Sequence, residues 1–263
     1  MATAEQVSEF RVSNQAIVDL ATQQLTEFLA TSPTTKALSD FWVEFVATFG
    51  RIAATTAADW FDELRADAGV RAGYTATVAD PASPEQALGV LRWATAPKTV
   101  FDRVTLSDSE IRARLDAGDT VDSTHETTSR TVPATTEQIG GKLSRASQRL
   151  ILQAGRETIA QSVARDPARA RWARVPSGDT CAFCLMTASR GAVYASEATA
   201  GGLHKYHDDC DCTPTPFWRD SPYPDGYDPD ALFQLYQDAR DGLGKFPSTS
   251  AILSELRTQQ GIH

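Results

Sequence analysis

All four cysteines of this 263-residue chain lie between residues 181 and 212. Cys181 and Cys184 form a C-x2-C pair, and Cys210 and Cys212 complete an H-x2-C-x-C unit that begins at His207. A tight turn can aim the donors of each unit at one ion, and the intervening loop can bring the two units together. These five side chains therefore compete for the positions of a tetrahedral zinc site.

We favour the four cysteines as ligands, with His207 as the substitute for one of them. His204 is a weaker candidate because it lies outside the H-x2-C-x-C unit. Protein side chains fill every position of such a site, so it would stabilise the fold and leave no position for a substrate. We expect a structural zinc ion and no enzymatic activity. A hydrolase in which Asp208, Asp209 and His207 orient a zinc-bound water is disfavoured, because five protein ligands are available.

The cysteines allow three other interpretations. Two disulfides would require an oxidising medium, and the N-terminal sequence MATAEQVSEFRVSNQ has neither the basic region nor the apolar core of an export signal. Buried free thiols would not explain why the cysteines cluster. A nucleophilic Cys–His pair matches no local protease signature, and the C-x-C spacing favours metal binding. The sequence is compatible with either a metal ion or disulfides as the cross-link between the two cysteine pairs.

Composition excludes several classes of protein. The chain is 41% hydrophobic, which is enough to bury a core, and it has no apolar run of ~18 residues that could form a transmembrane helix. Its net charge of −9 argues against a protein that coats nucleic acid with its whole surface. The charge is strongly divided, with +6 over residues 139–174 and −7 over residues 207–242.

Apolar periodicity predicts that the first ~170 residues are mostly helical. Apolar stripes cover residues 10–28, 38–49 and 52–68, and Ser83 followed by Pro84 marks another helix start. These aromatic and aliphatic side chains are interpreted as core.

Residues 99–135 are rich in Ser, Thr and Asp, which favours a loop or strands over a packed helix. A short helix is predicted from Leu106 to Leu115. His125 is interpreted as a lone surface histidine.

Residues 135–164 are predicted to form one long helix. Lys142, Arg145, Arg149 and Arg156 fall within about 60° of one another around it. Such a basic face can bind phosphates, dock on acidic protein including this chain's own tail, or simply be solvated.

The pattern changes after residue 173. Residues 189–194 are predicted to form a turn and a short strand, and the proline-rich segment 211–230 is predicted to be an extended arm or a surface loop. Two short helices are predicted at residues 230–240 and 248–257, the second with Ser248 as N-cap.

The predicted fold is mainly α, with a helical N-terminal body, a small α+β, Cys/His-stapled C-terminal module and an extended Pro-rich tail. The predicted divisions are a helical region over 1–134, a long basic helix over 135–170, and the Cys/His module with its Pro-rich arm and terminal helices over 171–263.

The cysteine-containing segments resemble a known family. Residues 174–184, the Ser-Arg-Gly turn at 189–191 and the unit at 207–212 are similar to the signature of Mu F-like phage head-morphogenesis (minor capsid) proteins, of the type encoded by tailed phages of actinobacteria. Two positions depart from the pattern. Asp208 stands where many relatives have Pro, and Asp211 where many have Arg.

The resemblance implies a low-copy minor head protein that associates with portal, major capsid or scaffolding protein during assembly in the host cytoplasm. It implies a place in the virion, at the capsid interior or portal vertex, an influence on DNA packaging or ejection, and no contact with a membrane. The metal-type positions that it implies are Cys181, Cys184, His207, Cys210 and Cys212. The alternative is a nucleic-acid-binding accessory protein that contacts packaged DNA through the basic helix at 142–156.

Overall fold

The computed structural model describes residues 2–71, 73–121, 123, 125–177, 180–195, 206, 210, 212–219 and 221–262. The fold is mainly helical with little strand, as predicted. Its helices are α1 (Ala4–Ala30), α2 (Thr35–Asp67), α3 (Pro84–Thr95), α4 (Asp108–Asp116), α5 (Thr136–Arg165), α6 (Ala182–Ala188), α7 (Pro229–Asp241) and α8 (Thr249–Gln260). Its strands are β1 (Lys98–Thr105), β2 (His125–Val132), β3 (Arg171–Val175) and β4 (Thr213–Phe217).

Side-chain caps fix where the main helices begin. The Ser83 side chain accepts a hydrogen bond from the Gln86 backbone, and the Gln86 side chain accepts one from the Ser83 backbone, with Pro84 in the first turn of α3. Thr135 and Gln138 make the same reciprocal pair at the start of α5. The helix starts at Ser83, Thr135 and Ser248 are confirmed. The apolar stripes at 38–49 and 52–68 lie on one continuous helix, α2.

Helix α5 packs closely along α2, and α1 contacts both. The approach is tightest at Gly155, where a Cβ atom would lie 2.9 Å from the backbone oxygen of Ala53. Only glycine allows this distance. The ring of Phe10 on α1 stacks on Trp60 of α2 with centroids 4.0 Å apart. Gly155 therefore sets how closely α5 approaches α2, and the Phe10–Trp60 stack joins α1 to α2.

A buried apolar cluster joins these helices to the C-terminal part of the chain. Its members come from α1, α2 and α5 on one side and from β3, β4 and the following loop on the other. The larger of them are Val7, Phe10, Trp60, Phe61, Leu64, Ile159, Val163, Trp172, Val175, Tyr194, Phe217, Trp218 and Tyr227. Burial is therefore continuous across the boundary predicted between residues 170 and 171.

The proline-rich segment contains a buried strand, which corrects the prediction of a surface loop or extended arm. β4 pairs with β3 antiparallel, with Pro216 opposite Trp172 and Pro214 opposite Arg174. The backbone of Trp172 exchanges hydrogen bonds with Tyr194, which lies on the side of β3 away from Pro216. Backbone bonding alternates along an antiparallel strand, so both prolines occupy positions that would not bond to β3. Because Pro214 and Pro216 are two residues apart, both can lie in β4 without removing a backbone hydrogen bond to β3.

Residues 98–132 form a separate small unit. β1 and β2 pair antiparallel from Lys98 opposite Val132 to Thr105 opposite His125, with α4 between them in sequence. The predicted strands and short helix are thus confirmed. Most side chains of the two strands are exposed, including Phe101 and His125.

A buried ion pair links α2 to the end of α5 and to the residue after β4. Arg65 donates from Nε and Nη2 to the two carboxylate oxygens of Asp166 at 3.0 and 3.2 Å, and Trp218 Nε1 donates to the same carboxylate at 2.8 Å. Burial opposes ionisation of Asp166, but hydrogen bonds from Arg65, Ala168 and Trp218 outweigh it and hold its pKa below the ordinary value. The pair therefore favours the charged carboxylate.

Replacing Asp166 with Asn should lower the free energy of unfolding by ~3–5 kcal/mol, because Arg65 would keep a buried charge without its anionic partner. Urea denaturation at neutral pH measures the loss. The folded-state pKa of Asp166 is depressed, so its stabilisation is present above the unfolded-state pKa and is lost as pH falls through the folded-state value. The Asp166→Asn variant should lack this acid dependence.

Asp102→Asn is the matched control. It removes the carboxylate from the exposed pair that Asp102 forms with Arg130, so it should cost ~1 kcal/mol or less. Equal losses for the two variants would contradict the assignment of Asp166 as a buried anchor.

Candidate metal centre

The first cysteine pair is held by the start of α6. Cys181 is the N-cap residue, and its Sγ accepts a hydrogen bond from the backbone nitrogen of Cys184 at 3.4 Å. Helix α6 packs against α7 and α8 through a small apolar cluster that includes Leu185, Ile252 and Leu256. The terminal helices therefore fix the orientation of the C-x2-C pair.

The second pair is positioned by β4, which begins immediately after Cys212. The Sγ atoms of Cys184 and Cys210 are 3.3 Å apart, and those of Cys184, Cys210 and Cys212 all lie within 4.8 Å of one another. All three residues are buried. A Zn–S distance of ~2.3 Å places tetrahedral sulfurs ~3.8 Å apart, so these separations fit a thiophilic metal ion with small adjustments. The three cysteines could hold such an ion.

Cys181 is half-buried and packs against the cluster that contains the other three cysteines, but its sulfur does not belong to the group that lies within 4.8 Å of one another. The structure thus brings Cys184 of the first predicted pair together with both cysteines of the second pair, and none of the four cysteines forms a disulfide. The predicted ligand His207 and the weaker candidate His204 lie outside the described residues.

The thiols share protons unequally. Hydrogen bonds from the Cys184 and Cys212 thiols, together with the nearby Arg156 guanidinium, hold the pKa of Cys210 below its ordinary value. Hydrogen bonding to Cys181 and Cys210 raises the pKa of Cys184. The cluster therefore concentrates negative charge on Cys210, and the thiolate is the form of cysteine that binds metal.

Two arginines and a tyrosine surround the sulfurs. The guanidinium carbons of Arg156 and Arg174 lie 3.8 and 3.9 Å from the centre of the Tyr206 ring. Arg156 Nη2 also donates to the backbone oxygen of Cys210 at 2.6 Å. All three side chains are buried, and burial raises the pKa of Tyr206 to about 12. Sequence reasoning missed Tyr206 because neither its type nor its spacing connects it to the cysteine units.

The predicted basic face is not one surface. Arg145 is exposed and Arg149 is half-buried, but Lys142 donates through Nζ to the backbone oxygens of Trp93 and Ala94. Arg156 is only 8% exposed and lies in the cysteine cluster. The helical wheel predicts the direction of each side chain around α5, but it does not predict which of them another segment covers. The C-terminal segment covers the turn that carries Arg156.

A cavity of about 60 Å³ adjoins the cysteines between α1 and α5. Its lining includes Arg11 and Asn14 of α1, Arg156 of α5, and Cys210 and Cys212. This volume can hold a few water molecules beside the two cysteines.

Comparisons with known proteins relate the chain to phage proteins. A family model described as "VG15 protein" matches residues 1–111 and 99–239. The "Gene 15 protein" of Mycobacterium phage D29 is 49% identical over 67 residues, which are 24% of this chain and 24% of that protein. The chain therefore spans about a quarter of the length of this curated relative. No solved structure matches the chain significantly.

Cys184→Ser should remove the response of the protein to metal. Zinc that binds only the folded protein stabilises it by ~2.7 kcal/mol at a free concentration of 100 Kd, and this gain requires the sulfur of Cys184. Thermal unfolding under reducing conditions, with zinc and with a chelator, measures the response. Thr187→Ser, a conservative change in the same helix, should respond as the unaltered protein does. An equal response in Cys184→Ser would count against the site.

Proposed function

Because this chain belongs to the VG15 protein family, we propose that it is a structural protein of a tailed-phage particle, specifically a minor capsid or head-morphogenesis protein. The observation that carries this proposal is the family match, which runs from the N-terminal helices through the cysteine cluster. It is supported by a relative encoded by a phage and by the resemblance of residues 174–212 to the Mu F-like signature.

We infer that the four cysteines hold a zinc ion. Zinc accepts four thiolates in structural sites. Cys184, Cys210 and Cys212 lie close enough to share one ion, and Cys181, which packs against their cluster, would be the fourth donor. When bound, the ion would provide a cross-link between the start of α6 and the segment that enters β4. With all positions filled by protein, the site would have no place for a substrate, which is the basis for proposing a structural protein and not an enzyme.

The proposed partners are portal, major capsid or scaffolding protein, and the proposed location is the capsid interior or portal vertex. None of the described helices combines the length and apolar character needed to cross a lipid bilayer. The charge division along the chain supplies acidic and basic segments for docking.

The alternative, nucleic-acid binding through the basic helix, has less support than the structural role. Of its four basic residues, Arg156 is buried, Lys142 donates to backbone oxygens at the end of α3 and Arg149 is half-buried, so that only Arg145 is exposed. DNA binding that falls steeply with salt and is lost in an Arg145→Glu, Arg149→Glu variant would favour this alternative.

A phage that carries this gene allows a direct test of the structural role. Mass spectrometry of purified precursor heads and mature virions should detect the chain at low copy number, in a subassembly that also contains portal protein. Deleting the gene should reduce the yield of DNA-filled heads, and complementation with the unaltered gene should restore it. Complementation with a gene that carries the conservative Thr187→Ser change serves as the control and should also restore the yield. A chain that is absent from both kinds of particle and dispensable for head yield would contradict the proposal.

The zinc assignment has its own measurement. Elemental analysis of the reduced, purified chain should find about one zinc ion per molecule, since one tetrahedral site accounts for all four cysteines. A fully reduced protein that contains no zinc, and whose unfolding does not change when zinc is added, would contradict it. Disulfides between the cysteines of the purified particle would favour the other form of cross-link.

A further inference from the structure

Arg156 carries a positive charge into the interior without a carboxylate partner among the described residues. It is 8% exposed, Nη2 donates to the Cys210 backbone oxygen, and Nη1 has no hydrogen-bond partner in the described part of the chain. Arg65 is equally buried at 6% exposed, but it forms a two-point ion pair with Asp166. Burying a guanidinium group without an anion is costly, so the environment of Arg156 needs negative charge from another source.

Among the described residues, the groups beside Arg156 that can supply negative charge are the cysteine sulfurs. Arg156 bonds to the backbone of Cys210, whose sulfur is 3.3 Å from that of Cys184. A divalent ion bound by cysteine thiolates carries a net negative charge, whereas protonated thiols and disulfides are neutral. The metal-bound centre is thus the state of the cysteines that best compensates Arg156.

The ring of Tyr206 allows a second arginine, Arg174, to be buried close to Arg156. Its ring receives the guanidinium groups of Arg156 and Arg174 at 3.8 and 3.9 Å from its centre. The negative face of an aromatic ring attracts each cation, which offsets part of the repulsion between them. The uncharged Tyr206 ring holds both guanidinium groups beside the sulfurs without neutralising them. Their positive charge can therefore stabilise the thiolates.

We propose that Arg156 is a positioning residue of the metal centre, the buried counter-cation of a metal–thiolate cluster formed by a divalent thiophilic ion. The inference rests on the proposed zinc site and goes beyond it, because it connects that site to helix α5. Metal binding then strengthens the junction between α5 and the Cys210 segment, and loss of the thiolate charge weakens it.

The test is the metal affinity of Arg156→Met. This variant removes the charge while keeping an apolar side chain, and its affinity for Zn²⁺ and Co²⁺ should fall about 10–100-fold, the usual effect of losing a partner that supports metal ligands. Competition with a chromophoric chelator measures both ions under reducing conditions, and the absorption of bound Co²⁺ reports tetrahedral sulfur ligation. The variant should lose more stability with metal bound than without it.

Two further variants separate charge from packing. Arg156→Lys keeps the charge and should retain most of the affinity, whereas Arg156→Gln keeps a donor for the Cys210 backbone oxygen without charge and should bind as weakly as Arg156→Met. If Arg156→Met does not fold, the Lys and Gln variants make the same comparison. Arg65→Met is the matched control: it should destabilise the protein because it leaves the buried Asp166 carboxylate without its cation, while its metal affinity stays unchanged.

The outcomes distinguish this inference from the zinc assignment. Metal affinity in Arg156→Met equal to that of the unaltered protein, or equally weak binding by the Lys and Met variants, would overturn the role of Arg156 and leave the zinc site standing. An unaltered protein that binds neither ion would overturn both.

Discussion

Three guanidinium groups lie in the interior of the described chain, and folding deprives each of the water that would otherwise solvate it. Arg65 meets Asp166 at the end of α5, where Trp218 also donates to the carboxylate. Arg156 and Arg174 meet the ring of Tyr206 beside the cysteines. Since buried charge is tolerated only with compensation, these contacts constrain how the C-terminal segments lie against the helices.

Helix α5 takes part in both sets of contacts, the Arg65–Asp166 ion pair and the arginine contacts beside the cysteines. Gly155 gives it a close contact with α2, and the next residue, Arg156, points into the cysteine cluster, because successive residues of a helix are turned ~100° apart. Ten residues later, Asp166 ends the helix and anchors Arg65. The same helix therefore packs closely on α2 and contacts the segment that carries Cys210.

A metal cross-link would suit a protein that assembles in a reducing cytoplasm, where disulfides do not persist. The two cysteine pairs lie on a short helix and just before a short strand, neither of which has much stability alone. Joining them through one ion would fix α6, β4 and the terminal helices packed on α6 as one unit. In the proposed head protein this unit is held against α5 by the cations beside it.

The sequence by itself determined the local features of this protein: the helix starts at Ser83 and Thr135, the long helix α5, and the pairing of cysteines by spacing. These depend on neighbouring residues, through caps, apolar periodicity and short turns. Only the tertiary structure decided that Arg156 is buried, that Tyr206 lies between two arginines, and that Pro214 and Pro216 belong to a strand. Each of these depends on a segment distant in sequence that covers or pairs with the residue, and neither a helical wheel nor composition contains that information.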